Sequence, residues 1–428
     1  MIDTNILTEK FAISPRVIDF FNATEPSLSA AFARADDIAF TNQAKVLWAM
    51  QDSRLADTHF AATTGYGYND LGRDVLEEIY AKTFGTQAAL VRPQIISGTH
   101  ALACALFGNL RPGDTIVSAT GKPYDTLLGV IGITPKAGSL AEYGVCYKQV
   151  DMIDGIAVDF NGLARALESH PRMVIIQRSK GYDWRKSLSV AEIAETVRFV
   201  KDFDASVLCM IDNCYGEFVE AHEPTEVCGA DAIVGSLIKN PGGGLAPAGG
   251  YIAGSHDFVE NTAHRLSAPG IGSHAGPTLG VTPAMLQGFY LAPSITAAAV
   301  KTAVLASEVF ARLGFDTLPN STDLRTDIVQ AIKFENKVRV IEFCRGIQRG
   351  AAVDSFVSCE PWDMPGYDCP VIMASGSFIS GSSVELSADA PIRPPYIAFF
   401  QGGLTASHGK IGLMIALNEM FKQGLVSL

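Results

Sequence analysis

GSLIKNPGGGLAPAGGYIAG, residues 235–254, decides how this chain is read. It joins two apolar runs, AIVGSLIK (232–239) and GGYIAGS (249–255), that both read as strands. About ten residues rich in Gly and Pro connect them, fewer than the dozen or more that a helical crossover between parallel strands requires. The second run is therefore expected to return antiparallel to the first. A single cation, Lys239, stands at the end of the first run, against Asn240-Pro241 and three glycines. A charge at the end of a buried run needs a partner or a task.

Outward from this stretch the texture is uniform. Short apolar runs appear at QIISGT (94–99), TIVSAT (115–120), MVIIQRS (173–179) and VLCMIDN (207–213). They are continuous rather than alternating, the mark of strands buried on both faces. Helical stretches separate them. The clearest spans 189–202, where Ser189 and Glu192 form a capping box. Strand–helix alternation predicts a mostly parallel α/β sheet, made mixed by the antiparallel return. Residues 1–60 read as polar and helical, and 256–300 as loop-rich, with closely spaced Gly270, Gly272, Gly276 and Gly280. A long helix is expected after about residue 300, then a smaller α+β domain with VRVIEFCRGIQRG, VIMASGSFIS and an amphipathic helix near 408–422. The expected organisation is a helical segment over 1–60, a large domain over 61–290 and a small domain over 291–428.

Composition narrows the classes. The 428 residues are 48% hydrophobic, enough for two or three cored domains. No uninterrupted apolar run reaches about 18 residues, so no membrane span is expected, and the N-terminus does not look like a signal peptide. The net charge of −12, with no basic stripe, speaks against nucleic acid as a partner. Eight scattered cysteines without C-x-x-C spacing read as reduced thiols of a cytoplasmic protein. The histidines lack metal-ligand spacing, so no metal site is expected.

Three positions carry chemistry. Ser97-Gly98-Thr99-His100 opens the helix ALACALFGNL, and a glycine turn at a helix N-terminus suits a phosphate; it is also an ordinary strand–helix turn. Asp212 ends the VLCMID run, where a carboxylate must cap a turn or hold a proton on a ring nitrogen, and Tyr215 lies three residues on. Lys239 either snorkels from its strand end or serves as a Schiff-base lysine, burial lowering its pKa so that a neutral amine is available. Ser236-x-x-Lys239 has the spacing of serine acyl-enzymes, but neither S-D-N nor K-T-G accompanies it.

Glycine turn, strand-end Asp and strand-end Lys occur in this order. With TTGYGYNDLGRD (63–74), IQRSKGY (176–182), IDNCYGEF (211–218), RLSAPGIGSHAG (265–276) and SADAPIRPPY (387–396), they resemble the fold-type-I pyridoxal phosphate (PLP) enzymes. Within these the chain is most similar to the methionine γ-lyase or cystathionine β-lyase-like group linked to aluminium resistance. The resemblance implies the aspartate aminotransferase-like fold and PLP as cofactor. It implies Lys239 as the cofactor-bonded lysine and proton acceptor, and Asp212 as the partner of the pyridine nitrogen. Gly98, Thr99 and Ser236 fall at the phosphate cradle, with Tyr215 near the same ligand. Tyr124 falls at the ring-stacking position, with His100 as the alternative. One of Gln177, Arg178 and Ser179 is implied to face the cofactor's phenolic oxygen, and Arg393 to clamp the substrate α-carboxylate. Tyr66 and Tyr68 match a segment that crosses to a partner's phosphate, implying a homodimer or homotetramer with shared active sites. The implied activity is carbon–sulfur lysis of a sulfur amino acid by β- or γ-elimination. Aminotransferase or aldolase chemistry, or silent PLP binding, is the alternative. Asn240-Pro241 and the glycines depart from the better-known cystathionine enzymes.

Overall fold

The computed structural model describes residues 4–364 and 367–428, which divide into two compact units, residues 40–293 and a second unit formed by residues up to 39 together with 294–428.

The first unit is built on a seven-stranded sheet: β1 (Ala88–Arg92), β2 (Thr115–Ser118), β3 (Cys146–Gln149), β4 (Met173–Gln177), β5 (Leu208–Asp212), β6 (Ala232–Ser236) and β7 (Gly250–Gly254). Their spatial order is β1-β7-β6-β5-β4-β2-β3. β7 pairs antiparallel with both β6 and β1, and every other pairing is parallel, so the expected return after Lys239 is present and the sheet is mixed. The continuous apolar runs have a simple cause. Successive side chains point to opposite faces. Val174, Ile176, Cys209, Ile211 and Ile233 enter one buried core, while Met173, Ile175, Met210, Ala232 and Val234 enter the other.

Several expectations need correction. The strand expected at QIISGT lies earlier, at Ala88–Arg92, where all five residues pair with Gly250–Gly254. Two apolar runs flank Pro93, and only the first has a partner; Ile96 in the second is 77% exposed. The glycine turn therefore follows a short loop rather than a strand. Residues 256–300 are mostly helical, with helices His256–Leu266 and Thr282–Arg312 and a loop only between them. The second helix tolerates Pro293 in its interior and starts well before residue 300. It is long and apolar enough to cross a membrane, but 67% of its most apolar window is buried, as in a core helix. The capping box forms as expected: Ser189 Oγ accepts from Glu192 N at 3.2 Å and Glu192 Oε2 accepts from Ser189 N at 2.9 Å, opening helix Val190–Phe203.

The second unit carries a five-stranded antiparallel sheet of β8 (Asp316–Leu318), β9 (Gln330–Lys333), β10 (Val371–Ala374), β11 (Ser387–Pro391) and β12 (Ile397–Gln401), in the order β10-β11-β12-β9-β8. Helices Lys337–Gly350 and Ala406–Lys422 pack against each other through glycines. A Cβ on Gly346 would lie 2.5 Å from Ala416 Cα, and one on Gly350 2.7 Å from Gly412 Cα. A side chain at either position would force the helices apart.

Candidate active site

Register brings the chemistry to one edge. Gln177 pairs with Asp212 and Asp212 with Val234, so β4, β5 and β6 end side by side and point the same way. The crevice outside the carboxyl ends of parallel strands is where open α/β sheets bind ligands. Lys239 lies three residues beyond the end of β6. Its Nζ sits 3.9 Å from the centroid of the Tyr215 ring, within cation–π range. Tyr215 adopts a left-handed backbone (φ 71°), unusual for a side chain of its size. Asn240 holds that turn: its buried amide donates to Tyr215 O at 3.1 Å and Glu217 O at 2.9 Å.

Asp212 accepts from the Cys214 N–H at 3.2 Å. Burial raises its pKa, against the pull of Lys239, that hydrogen bond and Arg185. Burial also acts to lower the pKa of Lys239, but Cys214, Tyr215 and Asp212 outweigh it. The amine is held above its ordinary value. The expected depressed, neutral lysine is thus corrected: the anionic and sulfur neighbours decide the sign, not desolvation alone.

The glycine turn closes on the same place. Ser97 caps helix Gly98–Asn109, its hydroxyl accepting from His100 N at 3.1 Å. The N–H groups of Gly98 and Thr99 precede the first intrahelical bond and face outward. An added Cβ at Gly98 would come 3.3 Å from Ser236 Cβ and 3.5 Å from Cys214 Sγ. Turn, β5 end and β6 end therefore meet in a cradle that a side chain at residue 98 would narrow. Thr99 Oγ1 lies 2.6 Å from Thr126 Oγ1. His100 turns back, its Nδ1 accepting from Ile96 N at 3.2 Å.

Tyr124 precedes helix Asp125–Ile131, and its N–H donates to Gln177 Oε1 at 2.8 Å. Its ring lies 5.7 Å from that of Tyr182. Gln177 also donates to Ser179 O at 2.9 Å, so its side chain ties Tyr124 to the β4 end. Arg178 is fully buried and committed elsewhere, donating to Asn213 (2.8 Å), Glu223 (3.3 Å) and Glu220 (2.9 Å). Ser179 is buried beside Arg185, which donates to its carbonyl at 2.5 Å.

Tyr66 and Tyr68 stack on each other with centroids 5.5 Å apart, and are 75% and 56% exposed. Their segment is clamped from below by buried Asp70, which caps helix Leu71–Thr83. Asp70 accepts from Arg73 N (2.9 Å), Thr278 N (2.9 Å), Thr278 Oγ1 (2.8 Å) and the Thr63 hydroxyl. A cavity of about 550 Å³ opens beside it, lined by Tyr68, Arg73, Glu77 and His274 and not by Lys239. Burial alone would raise the pKa of Asp70, but the bonds from Thr63, Arg73 and Thr278 lower it. The carboxylate thus stabilises the fold above its ordinary titration range and stops doing so as pH falls through the lowered folded value. Asp70→Ala is expected to cost about 2 kcal/mol at neutral pH, a deficit that shrinks in acid. Thermal unfolding at two pH values, with proteolysis sites mapped near residues 63–70, checks this.

Arg393 lies in the other unit, where one of its nitrogens donates to Asp368 at 2.9 and 3.2 Å in a partly exposed ion pair. Sequence reading missed Arg185, Glu217 and Asn240. Arg185 had a faint signal, the cation-rich loop RSKGYDWRK; Asn240 had none beyond its place after Lys239.

The profile of the methionine gamma-lyase family matches residues 17–421. The YnbB protein of Bacillus subtilis (strain 168) is 45% identical over 404 residues, 94% of this chain and 96% of YnbB. The crystal structure of a carbon–sulfur lyase involved in aluminium resistance from Clostridium novyi NT is 49% identical, covers 98% of this chain and 100% of that one, and superposes with a TM-score of 0.94. For a candidate cystathionine beta-lyase involved in aluminium resistance from Clostridium acetobutylicum the values are 48%, 98%, 99% and 0.95. The mixed sheet and the small antiparallel sheet are the aspartate aminotransferase-like architecture of PLP-dependent enzymes. With a matching profile over nearly its whole length, and the turn, carboxylate and lysine gathered at one sheet edge, the chain belongs to the methionine gamma-lyase family.

Proposed function

We propose that this PLP-dependent carbon–sulfur lyase removes the sulfur substituent of a sulfur-containing amino acid by β- or γ-elimination, releasing a thiol, ammonia and an oxo acid. The observation that carries the reading is the convergence of Gly98, Ser236, Asp212 and Lys239 at the carboxyl ends of β5 and β6.

The residues suit the cofactor. The N–H groups of Gly98 and Thr99 and the Ser236 hydroxyl would hold its phosphate. Asp212 would keep a proton on the ring nitrogen. Tyr124 would lie against the ring, His100 being tied to its own loop. Ser179 and Tyr215 would border it. PLP, when bound, supplies an electron sink for negative charge on the substrate α-carbon. Once Nζ has given up its own proton, Lys239 would take the α-proton onto it and return a proton later. The thiolate would leave with the bonding electrons, and water would release ammonia from the remaining imine. Arg393 is proposed to exchange Asp368 for the substrate carboxylate, a planar fork suited to a bidentate partner.

The exposed Tyr66–Tyr68 pair supports a homodimer or homotetramer in which this segment reaches the phosphate site of a second copy. The eight free cysteines fit a reducing compartment, and the cytoplasm is the proposed location.

Incubation of the PLP-loaded protein with cystathionine, cystine and methionine, with thiol, ammonia and oxo acid measured, tests the reaction. All three products are expected from at least one substrate. An oxo acid that keeps its sulfur, formed without thiol or ammonia when a 2-oxo acid is added as amino acceptor, would instead mark transamination.

A further inference from the structure

One buried carboxyl beside the site has no task in the proposed reaction. Glu217 is fully buried, two residues after Tyr215. Its Oε1 accepts from the Tyr251 hydroxyl at 2.9 Å, while Oε2 has no hydrogen-bond partner among the described residues. The slot it fills exists only because residue 235 is glycine: a Cβ there would lie 2.4 Å from Glu217 Oε1 and 2.5 Å from the Tyr251 ring. Gly235 stands four residues before Lys239, at the end of β6. Asn240, the residue after Lys239, bonds the backbone on both sides of this turn, and its own Oδ1 is likewise buried without a partner among the described residues. Two buried polar groups left without partners are destabilising, and a fold keeps such groups where they position something.

We propose that Glu217 and Asn240 are positioning residues for Lys239, the carboxyl wedged beneath the end of β6 and the amide fixing the turn whose Tyr215 ring the amine touches. The task assigned to Lys239 rests on the proposed function; the brace itself does not. Several groups face Glu217. Tyr251 comes from β7, Cys214 and Glu223 from the chain after β5, Lys239 from the chain after β6, and Tyr80 from helix Leu71–Thr83. Burial pushes the Glu217 carboxyl up to about 8; its own backbone N–H, Tyr251 and Lys239 draw it down, and Glu223 draws it up. The folded protein therefore keeps a proton that the unfolded chain has released, and stability falls as pH rises from the ordinary carboxylate range to about 8. Above that range Glu217 adds a negative charge near the lysine.

The test measures Lys239 itself, by trace acetylation of the full chain with acetic anhydride across pH, quantified at Lys239 by peptide mass spectrometry. Glu217→Gln is expected to unfold like the wild type at acid pH and to become increasingly the more stable protein from the ordinary carboxylate range up to pH about 8, the difference holding above it. Its Lys239 labelling midpoint should move down by about one pH unit. Asn240→Ala should label several-fold faster at a fixed pH, roughly as expected for release of one buried contact. Tyr251→Phe removes a bond to the ionised carboxyl and should move the stability loss to higher pH, which keeps the test decisive if Glu217→Gln folds poorly. Wild-type labelling profiles in Glu217→Gln and Asn240→Ala, with the fold intact, would overturn the brace. PLP uptake by the wild type is read in parallel: its absence would sink the proposed function and leave the labelling comparison standing.

Discussion

Lys239→Ala is expected to abolish covalent attachment of PLP and to lower carbon–sulfur lysis by at least about 10³-fold, the upper range for removing a positioned proton acceptor. The protein should still fold. The substitution shortens a half-buried side chain whose ammonium pKa is set by Cys214, Tyr215 and Asp212 against the cost of desolvation, and a partly exposed side chain leaves no sealed cavity behind. The consequence falls on Asp212. Lys239 is the largest influence holding that carboxyl down, and without it burial raises the Asp212 pKa further. The variant should therefore bind PLP without a covalent link and hold it less tightly. Mass spectrometry after borohydride treatment reads the link, equilibrium dialysis reads the binding, and thiol release reads turnover. Wild-type turnover in this variant would remove Lys239 from the chemistry.

The second large effect is structural. Gly242→Ala is expected to destabilise the 40–293 unit by about 3 kcal/mol. An added Cβ would stand 1.6 Å from the Leu237 carbonyl oxygen and 2.9 Å from Ala246 Cβ, and neither can swing aside because the first is backbone. The turn must open, and with it the Gly242 N–H bond to Lys239 O. Gly243 is pressed in the same way, since a Cβ there would lie 2.1 Å from Gly288 O on the long helix. Gly138→Ala is the control: its φ is 80°, yet nothing lies within 4 Å of an added Cβ, so backbone strain alone, about 1 kcal/mol, should appear. Urea unfolding of the three proteins separates collision from strain. Equal losses in the two variants would refute the close-approach account.

This explains the glycines after Lys239, which on sequence alone only allow a chain reversal. They are small because the β6–β7 connection is pressed between its own strand and helix Thr282–Arg312. Such tertiary crowding leaves no local signature. The strands, by contrast, were legible because both sheet faces are buried and apolar runs mark both. The run after Pro93 misled, because an unpaired Ile95-Ile96 looks the same as a paired strand in one dimension. The site was legible where strand ends concentrate chemistry, at Asp212 and Lys239, and where a helix start needs glycine, at Gly98. It was not legible where a residue's task depends on what surrounds it. Arg178 stands among cations and polar groups at a strand end, yet is consumed by Asn213, Glu220 and Glu223. The sign of the Lys239 shift is of the same kind, since it is set by neighbours brought in from the chain after β5.

The placement of β1 has a consequence for how the molecule is made. Among the described residues β1 pairs only with β7, through Ala88–Arg92 against Gly250–Gly254. A strand finished early in synthesis therefore waits for one about 160 residues later, a closure that adds loop entropy and slows folding. Until Gly254 has left the ribosome, β1 has no strand to pair with. A nascent chain stalled before that point would expose both apolar faces of β1 and be a target for chaperones.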